Sequence, residues 1–258
     1  MRILVVNDDG IQAPGLYALA EALKAIAVVT VVAPSREYSG TSGAITIRDI
    51  LKQQEHYIDG RFFGYSFTGT PADCVKIALA HILIEKPDYV FSGINPGANL
   101  SANVHYSGTV AAASESWDMG IPSVAISQLV SNYEVTHDYS ASQEIAVRWC
   151  ELMERGLVPK QAFYNINLPN LPLLEMKGFA FSRLDPGGFS TCYEKRISPR
   201  GETYYWCAGV NIAGGASSDD SDSVLLDKGY VSVTPLARAN RTDYTMFKEL
   251  KTKGEPHL

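Results

Sequence analysis

The sequence predicts an α/β protein built on a doubly wound, mostly parallel β-sheet. Three observations predict it. Two β-branched runs, Arg2–Asn7 (RILVVN) and Val28–Ala33 (VVTVVA), flank a stretch with Leu16, Leu19, Ala20 and Leu23 at helical spacing. Strand, helix and strand fit within residues 2–33, and such crossovers join parallel strands whose sheet is covered on both faces. The same alternation of short apolar run and helical pattern returns between residues 70 and 168.

Composition agrees with a folded domain. Of 258 residues, 46% are hydrophobic and 19% charged, enough to bury a core and too apolar for a disordered chain. Net charge is −6 and the pI about 5.4, and no Lys/Arg cluster stands out, which argues against a nucleic-acid-binding surface. A small anion is not excluded, because a bound cation reverses a mildly negative local field. The cysteines Cys74, Cys150, Cys192 and Cys207 form no CxxC pair, against a zinc site. No apolar run reaches the roughly 18 residues of a membrane helix, and the N-terminus enters a strand with no basic leader. The expectation is a cytoplasmic protein with reduced thiols and no membrane contact.

The elements follow in order. Asp8-Asp9-Gly10 stops the first strand, and Pro14 stands near the first helix start. Ala44–Leu51 and Tyr57–Phe67 alternate and are expected to form a hairpin. Thr70 as N-cap, Pro71 as first helical residue and Asp73 in the first turn predict a helix to about Glu85. Asp88–Phe91 is a strand, residues 93–108 a Gly/Asn-rich loop, and Ala111–Met119 a helix ended by Gly120 and Pro122. Ser123–Ser127 is a strand. Ser140 with Gln143 resembles a capping box for a helix through Arg155, and Phe163–Leu168 is a further strand. Composition shifts after residue 184, so residues 1–184 read as the core and 185–258 as an extension. Within it, Glu202–Ala208 and Tyr230–Val233 are strand-like and 240–251 a terminal helix.

Three loops follow strands: Asn7–Gly10, Ser35–Gly40 and Ser92–Asn99. In a doubly wound sheet such loops open onto one crevice, where ligands bind. Asp8, Asp9, Ser39 and Asn95 are all hard oxygen donors, suited to Mg²⁺, Mn²⁺ or Ca²⁺. Adjacent carboxylates repel unless a cation lies between them. Asp-Asp-Gly by itself is more often a turn; its place directly after an apolar first strand favours the metal site. Tyr106-Ser107-Gly108-Thr109 precedes a helix of small residues and suits a phosphate, although Ser107 or Thr109 as a plain helix cap explains it as well. Asp219-Asp220-Ser221-Asp222 matches the start of a calcium loop but lacks its later glycine and acid, so a solvated turn is the better reading. His105 is placed to carry a proton, yet an ordinary surface histidine explains it better. No GxxxxGK[ST], GxGxxG or GxSxG occurs, against NTPase, dehydrogenase and serine-hydrolase chemistry.

Several of these motifs together resemble one family. Asn7-Asp8-Asp9-Gly10 with Ala13-Pro14-Gly15, Arg36-x-x-Ser39-Gly40, Gly69–Cys74, Ser92–Asn95 with Gly97 and Asn99, and Tyr106–Thr109 occur in the order of the SurE family, stationary-phase survival proteins that are 5′-nucleotidases. Gly229–Leu236 extends the match to the tail. The resemblance implies a Rossmann-like core and hydrolysis of nucleoside 5′-monophosphates, with 3′-nucleotides and short polyphosphate as further substrates in some members. It implies one divalent cation per subunit, Mg²⁺ or Mn²⁺, held by Asp8, Asp9, Ser39 and Asn95. It places Ser39, Gly40, Asn95, Asn99, Ser107, Gly108 and Thr109 around the phosphate, with Asp8 and Asp9 catalytic. It also implies a cytoplasmic homodimer or homotetramer joined through residues 185–258. Where the family has Gly-x-Asp/Glu, this chain has Ser101-Ala102-Asn103. Two rivals stand beside this reading: a metal-dependent nucleotide-sugar transferase, whose acids are usually spaced Asp-x-Asp, and a nucleotide-binding module without turnover.

Overall fold

The computed structural model describes residues 1–131, 137–159, 162–213 and 218–237. The helix expected over 240–251 lies outside them. The first unit is β1 (Arg2–Val6), α1 (Pro14–Lys24) and β2 (Val28–Pro34), with the two strands parallel. On its other side β1 pairs in parallel with β5 (Tyr89–Pro96). The chain therefore leaves β1 in one direction and returns to it from the other. That reversal opens a crevice beyond the carboxyl ends of β1 and β5.

Alternation along β1 divides the core in two. Ile3 and Val5 face α1 and α4 (Ser140–Glu154), packing with Leu16, Leu19, Leu23, Ile145 and Trp149. Leu4 and Val6 face α2 (Pro71–Ile77) and α3 (Gly108–Asp118), packing with Cys74, Val75 and Ala112. Trp149 is 2% exposed and packs edge-to-face on Tyr164 and at a tilt on Phe179. Trp149→Ala is expected to cost about 3–5 kcal/mol in a denaturant titration.

Several boundaries differ from expectation. The hairpin is β3 (Gln53–Ile58) and β4 (Arg61–Phe67), turned at Asp59 and Gly60, both at positive φ. Asp-Gly is the residue pair such a tight turn needs. Ala44–Leu51 forms no strand. It lies over the start of α2 instead, where Thr70 donates its hydroxyl to the Ala44 carbonyl and Thr46 donates its N–H and hydroxyl to Asp73. The Thr70/Asp73 capping box forms, but α2 widens into a π-helical turn at Ala78–Ile82 and stops before Glu85. α4 has no capping box: Gln143 donates to the Ala18 carbonyl, and Asp138 accepts from the Ser140 N–H.

The sheet continues through β6 (Ser123–Gln128) and β7 (Phe163–Leu168), both parallel. After β8 (Phe179–Phe181) come the hairpin β9 (Gly188–Ile197) and β10 (Thr203–Ala213), α5 (Asp222–Asp227) and β11 (Val231–Leu236). The expected strand at Glu202–Ala208 falls in β10. β11 enters the main sheet antiparallel to β7 and parallel to β8, giving nine strands in the order β3-β4-β2-β1-β5-β6-β7-β11-β8.

Candidate active site

Asn7 shapes the first loop. Its amide donates to the Gly10 carbonyl at 3.0 Å and accepts the Gly10 N–H at 3.2 Å. Gly10 has φ +99°, and a Cβ there would lie 3.1 Å from the Arg36 carbonyl carbon. The turn leaves Asp8 and Asp9 side by side at the end of β1. The Tyr38 N–H donates to the Asp8 carbonyl at 2.7 Å and ties the 35–40 loop alongside.

Asp8 is 3% exposed and sits against the start of α3. The Thr109 hydroxyl donates to its Oδ1, and the N–H groups of Gly108 and Thr109 also hold it down in pKa. Burial outweighs them and the carboxyl is raised above its ordinary value. The approach is possible because residue 108 has no side chain: a Cβ there would lie 2.7 Å from Asp8 Cβ. Asp9 is raised to about 8, first by burial, then by repulsion from Asp8 and Glu37. Its Oδ2 is buried and has no hydrogen-bond partner.

These acids open onto a cleft of about 520 Å³ at the β1/β5 reversal. Ser39, Gly40, Asn95, Asn99 and Ser107 line it with Asp8 and Asp9. Asn95 donates its amide N–H to the Gly97 carbonyl at 2.7 Å, leaving its oxygen free to act as a donor to a cation. Ser39 donates its hydroxyl to Glu37 at 2.7 Å. Gly108 and Thr109 do not reach the cleft wall; they lie behind Asp8 and hold it. Ser107 is the N-cap of α3, its Oγ accepting the Val110 N–H at 3.1 Å, and it also lines the cleft. His105 is exposed and lies outside the cleft.

The fit to a cation rests on oxygen donors of mixed type. Among the described residues no group of three or more His, Cys, Asp or Glu is arranged to hold a metal. A cation held here would have to draw on side-chain oxygens such as those of Ser39 and Asn95 beside the two acids, and the Asp9 oxygen is one of two buried cleft oxygens, with Asn103 Oδ1, that lack a partner without one.

Three contributors escaped sequence reasoning. Glu37 lines the cleft, beside Asn103 and Tyr106 of stretches the sequence had already marked. On β7, Asn165 and Asn167 donate to the Asn99 carbonyl at 2.7 and 3.1 Å, and Asn167 accepts the Asn99 N–H at 2.8 Å. Two amides at alternate positions of an otherwise apolar strand were the signal available. The acidic run at 219–222 is also only half a solvated turn. Asp219 and Asp220 pair with Lys228 and Arg183, whereas Asp222 is buried.

Known proteins resemble this chain in sequence and architecture. The family model for survival protein SurE matches residues 3–190. The chain is 41% identical over 260 residues to a 5′-nucleotidase SurE of Syntrophobacter fumaroxidans, covering 100% of both chains. It is 42% identical over 257 residues to that of Carboxydothermus hydrogenoformans, covering 98% of this chain and 96% of the relative. The crystal structure of the SurE protein from Aquifex aeolicus superposes with a TM-score of 0.77 at 37% identity, over 99% of this chain and 100% of that one. A two-acid cleft at the β1/β5 reversal, on a chain this similar along its whole length, places the protein in the SurE family.

Proposed function

We propose that this protein is a divalent-metal-dependent 5′-nucleotidase that hydrolyses nucleoside 5′-monophosphates to nucleoside and phosphate. The name carried by its relatives supports the activity. The observation that carries the metal is the buried, unpartnered Asp9 oxygen beside Asp8 at the mouth of the sheet. Asp8, Asp9, Ser39 and Asn95 are the ligands proposed for one Mg²⁺ or Mn²⁺. Such an ion supplies Lewis-acid stabilisation of phosphoryl charge and a lowered pKa for water.

The chain's own residues do the rest. Asp9 accepts the proton of the attacking water, since it is the acid that Thr109 and the α3 N-terminus do not already engage. Asp8 is fixed by that helix end and keeps its orientation through turnover. The Ser107 hydroxyl, the Gly40 backbone and the remaining Asn95 amide N–H surround the phosphate oxygens, while Asn99, its backbone engaged by Asn165 and Asn167, shapes the wall beside them. Tyr106, 60% exposed at the cleft rim, offers a face to the nucleoside. The exposed Tyr193, Tyr205 and Trp206 of the β9–β10 hairpin support a homodimer or homotetramer joined through residues 185–258. Among the described residues no helix is long and apolar enough to cross a membrane. The free Cys74, Cys150 and Cys207 fit a reducing, cytoplasmic compartment.

Phosphate release from a panel of 5′- and 3′-nucleotides, short polyphosphate and sugar phosphates, with and without chelator, tests this reading. Release from AMP with no acceptor, abolished by chelator, is expected; binding without release would leave a nucleotide-binding module. A pH effect accompanies it. Asp9 keeps its proton in the folded chain up to about 8, against 3.8 as its ordinary value. The metal-free fold binds more protons than the unfolded chain across that window, so its stability falls as pH rises through it. Cation binding must expel that proton, so Mn²⁺ affinity is expected to weaken below about pH 8, by up to about tenfold per unit. Calorimetry in buffers of different ionisation enthalpy counts the proton; a count of zero at neutral pH would remove Asp9 from the ligand set.

A further inference from the structure

Asp222 has a fully buried carboxylate, at 0% exposure, more than a hundred residues from the cleft in sequence. Its Oδ2 accepts the Ser101 N–H at 2.7 Å. Its Oδ1 accepts the N–H groups of Asp185 at 3.0 Å and Ser223 at 2.9 Å. Both oxygens are thus used as acceptors, which only a carboxylate supplies; an amide has one. Asp185 reinforces the junction, accepting from the Gly187 N–H at 2.9 Å and the Ser223 hydroxyl at 2.8 Å. The Ala102 N–H donates to the Gly187 carbonyl at 3.2 Å.

What this junction holds is a short 3₁₀ turn, Ser101–His105. Its first residue, Ser101, is at φ +57°, in the left-handed region that favours glycine. The turn carries Asn103 and leads directly to Tyr106, both on the cleft wall. The metal-side groups are held by other means: Asp8 and Asp9 by β1 and α3, and Ser107 by its cap to Val110. The far end of the turn is tied separately, Ser42 donating its N–H to the Tyr106 carbonyl at 2.9 Å and its hydroxyl to the His105 carbonyl at 2.7 Å, so loosening the Ser101 end shifts the Asn103 side of the wall most and leaves Asp8 and Asp9 in place.

We infer that Asp222 is a positioning residue for the nucleoside part of the substrate: by fixing Ser101 in its left-handed conformation it sets the wall formed by Asn103 and Tyr106. The inference rests on the nucleotidase reading. It couples α5, in the C-terminal part of the chain, to substrate recognition with no direct contact to substrate.

The test compares AMP with p-nitrophenyl phosphate, which has the phosphate and no nucleoside. Asp222→Asn removes one acceptor and puts an N–H donor in its place. A side chain in the left-handed region, no longer held, costs on the order of tenfold in population. Asp222→Asn should therefore raise the KM for AMP by about tenfold, with kcat and the KM for p-nitrophenyl phosphate within about threefold of wild type. The double variant Ser101→Gly with Asp222→Asn should recover most of the AMP KM, because glycine adopts that conformation without the clamp. Ala102→Pro removes the N–H donated to Gly187 and drives Ser101 out of the left-handed region with Asp222 intact. It should reproduce the AMP defect, and it serves as the readout if Asp222→Asn fails to fold. An unchanged AMP KM in the folded variants, equal losses on both substrates, or no recovery in the double variant would overturn the inference. A wild-type protein that releases no phosphate from AMP would instead overturn the nucleotidase reading and this inference with it.

Discussion

Asp9→Asn should release phosphate from a nucleoside 5′-monophosphate at least about 10³-fold more slowly than wild type, a loss of about 4 kcal/mol of transition-state stabilisation. The same variant should melt higher than the metal-free wild type. Asp9 is raised to about 8 by burial and by its two acidic neighbours, so at neutral pH the empty site keeps a proton that the unfolded chain gives up, and this costs stability. An amide of the same shape removes that cost and the ligand together. The pairing of lost activity with gained stability separates a functional acid from a structural one. A structural acid would lose both, and turnover within about tenfold of wild type would take Asp9 out of the mechanism. Phosphate release and a thermal melt on one preparation decide it.

Gly108→Ala should be nearly as damaging to activity, with the opposite effect on stability. Alanine for glycine near a helix start is ordinarily neutral to helpful by up to about 1 kcal/mol. Here the added Cβ meets Asp8 Cβ at 2.7 Å and Oδ2 at 2.8 Å, both belonging to a side chain clamped by Thr109. Neither partner has room to retreat, so the substitution should destabilise by about 1–3 kcal/mol. It should also turn the Asp8 carboxylate, lowering activity about 10²-fold or more. Denaturant midpoint and Mn²⁺ affinity measure the two effects. A stabilised Gly108→Ala chain with wild-type cation affinity would mean that the close packing of α3 on Asp8 is not needed.

Local chemistry made the alternating strands and helices readable. β1, β2, β6 and β7 are apolar runs bounded by turn residues, and α2 begins at a cap box spelled out by Thr70 and Asp73. Less was legible wherever a distant partner decides the conformation. Ala44–Leu51 alternates like a strand yet is claimed by Thr70 and Asp73. Ser140 and Gln143 look like a cap, yet Gln143 reaches α1 instead. At the cleft the two acids, Ser39 and Asn95 could be grouped because each stands at or beyond the carboxyl end of a strand. The residues that aim them could not. Thr109 reads as a phosphate ligand until its hydroxyl is seen on Asp8, and Asp222 reads as part of a solvated run until the chain brings it beneath Ser101. Hydrogen bonds across such spans leave no periodicity in the sequence.

The place of β11 in the sheet bears on how the chain is made. β7 is completed at Leu168, but its outer neighbour is β11, and β8 pairs in the sheet through β11 alone. A nascent chain emerging from the ribosome therefore carries an open strand edge through the synthesis of everything from Pro169 to Tyr230. Such an edge is where one growing chain can dock on another. The last described strand thus acts as a closing seam, whose arrival ends the period in which neighbouring nascent chains can pair wrongly.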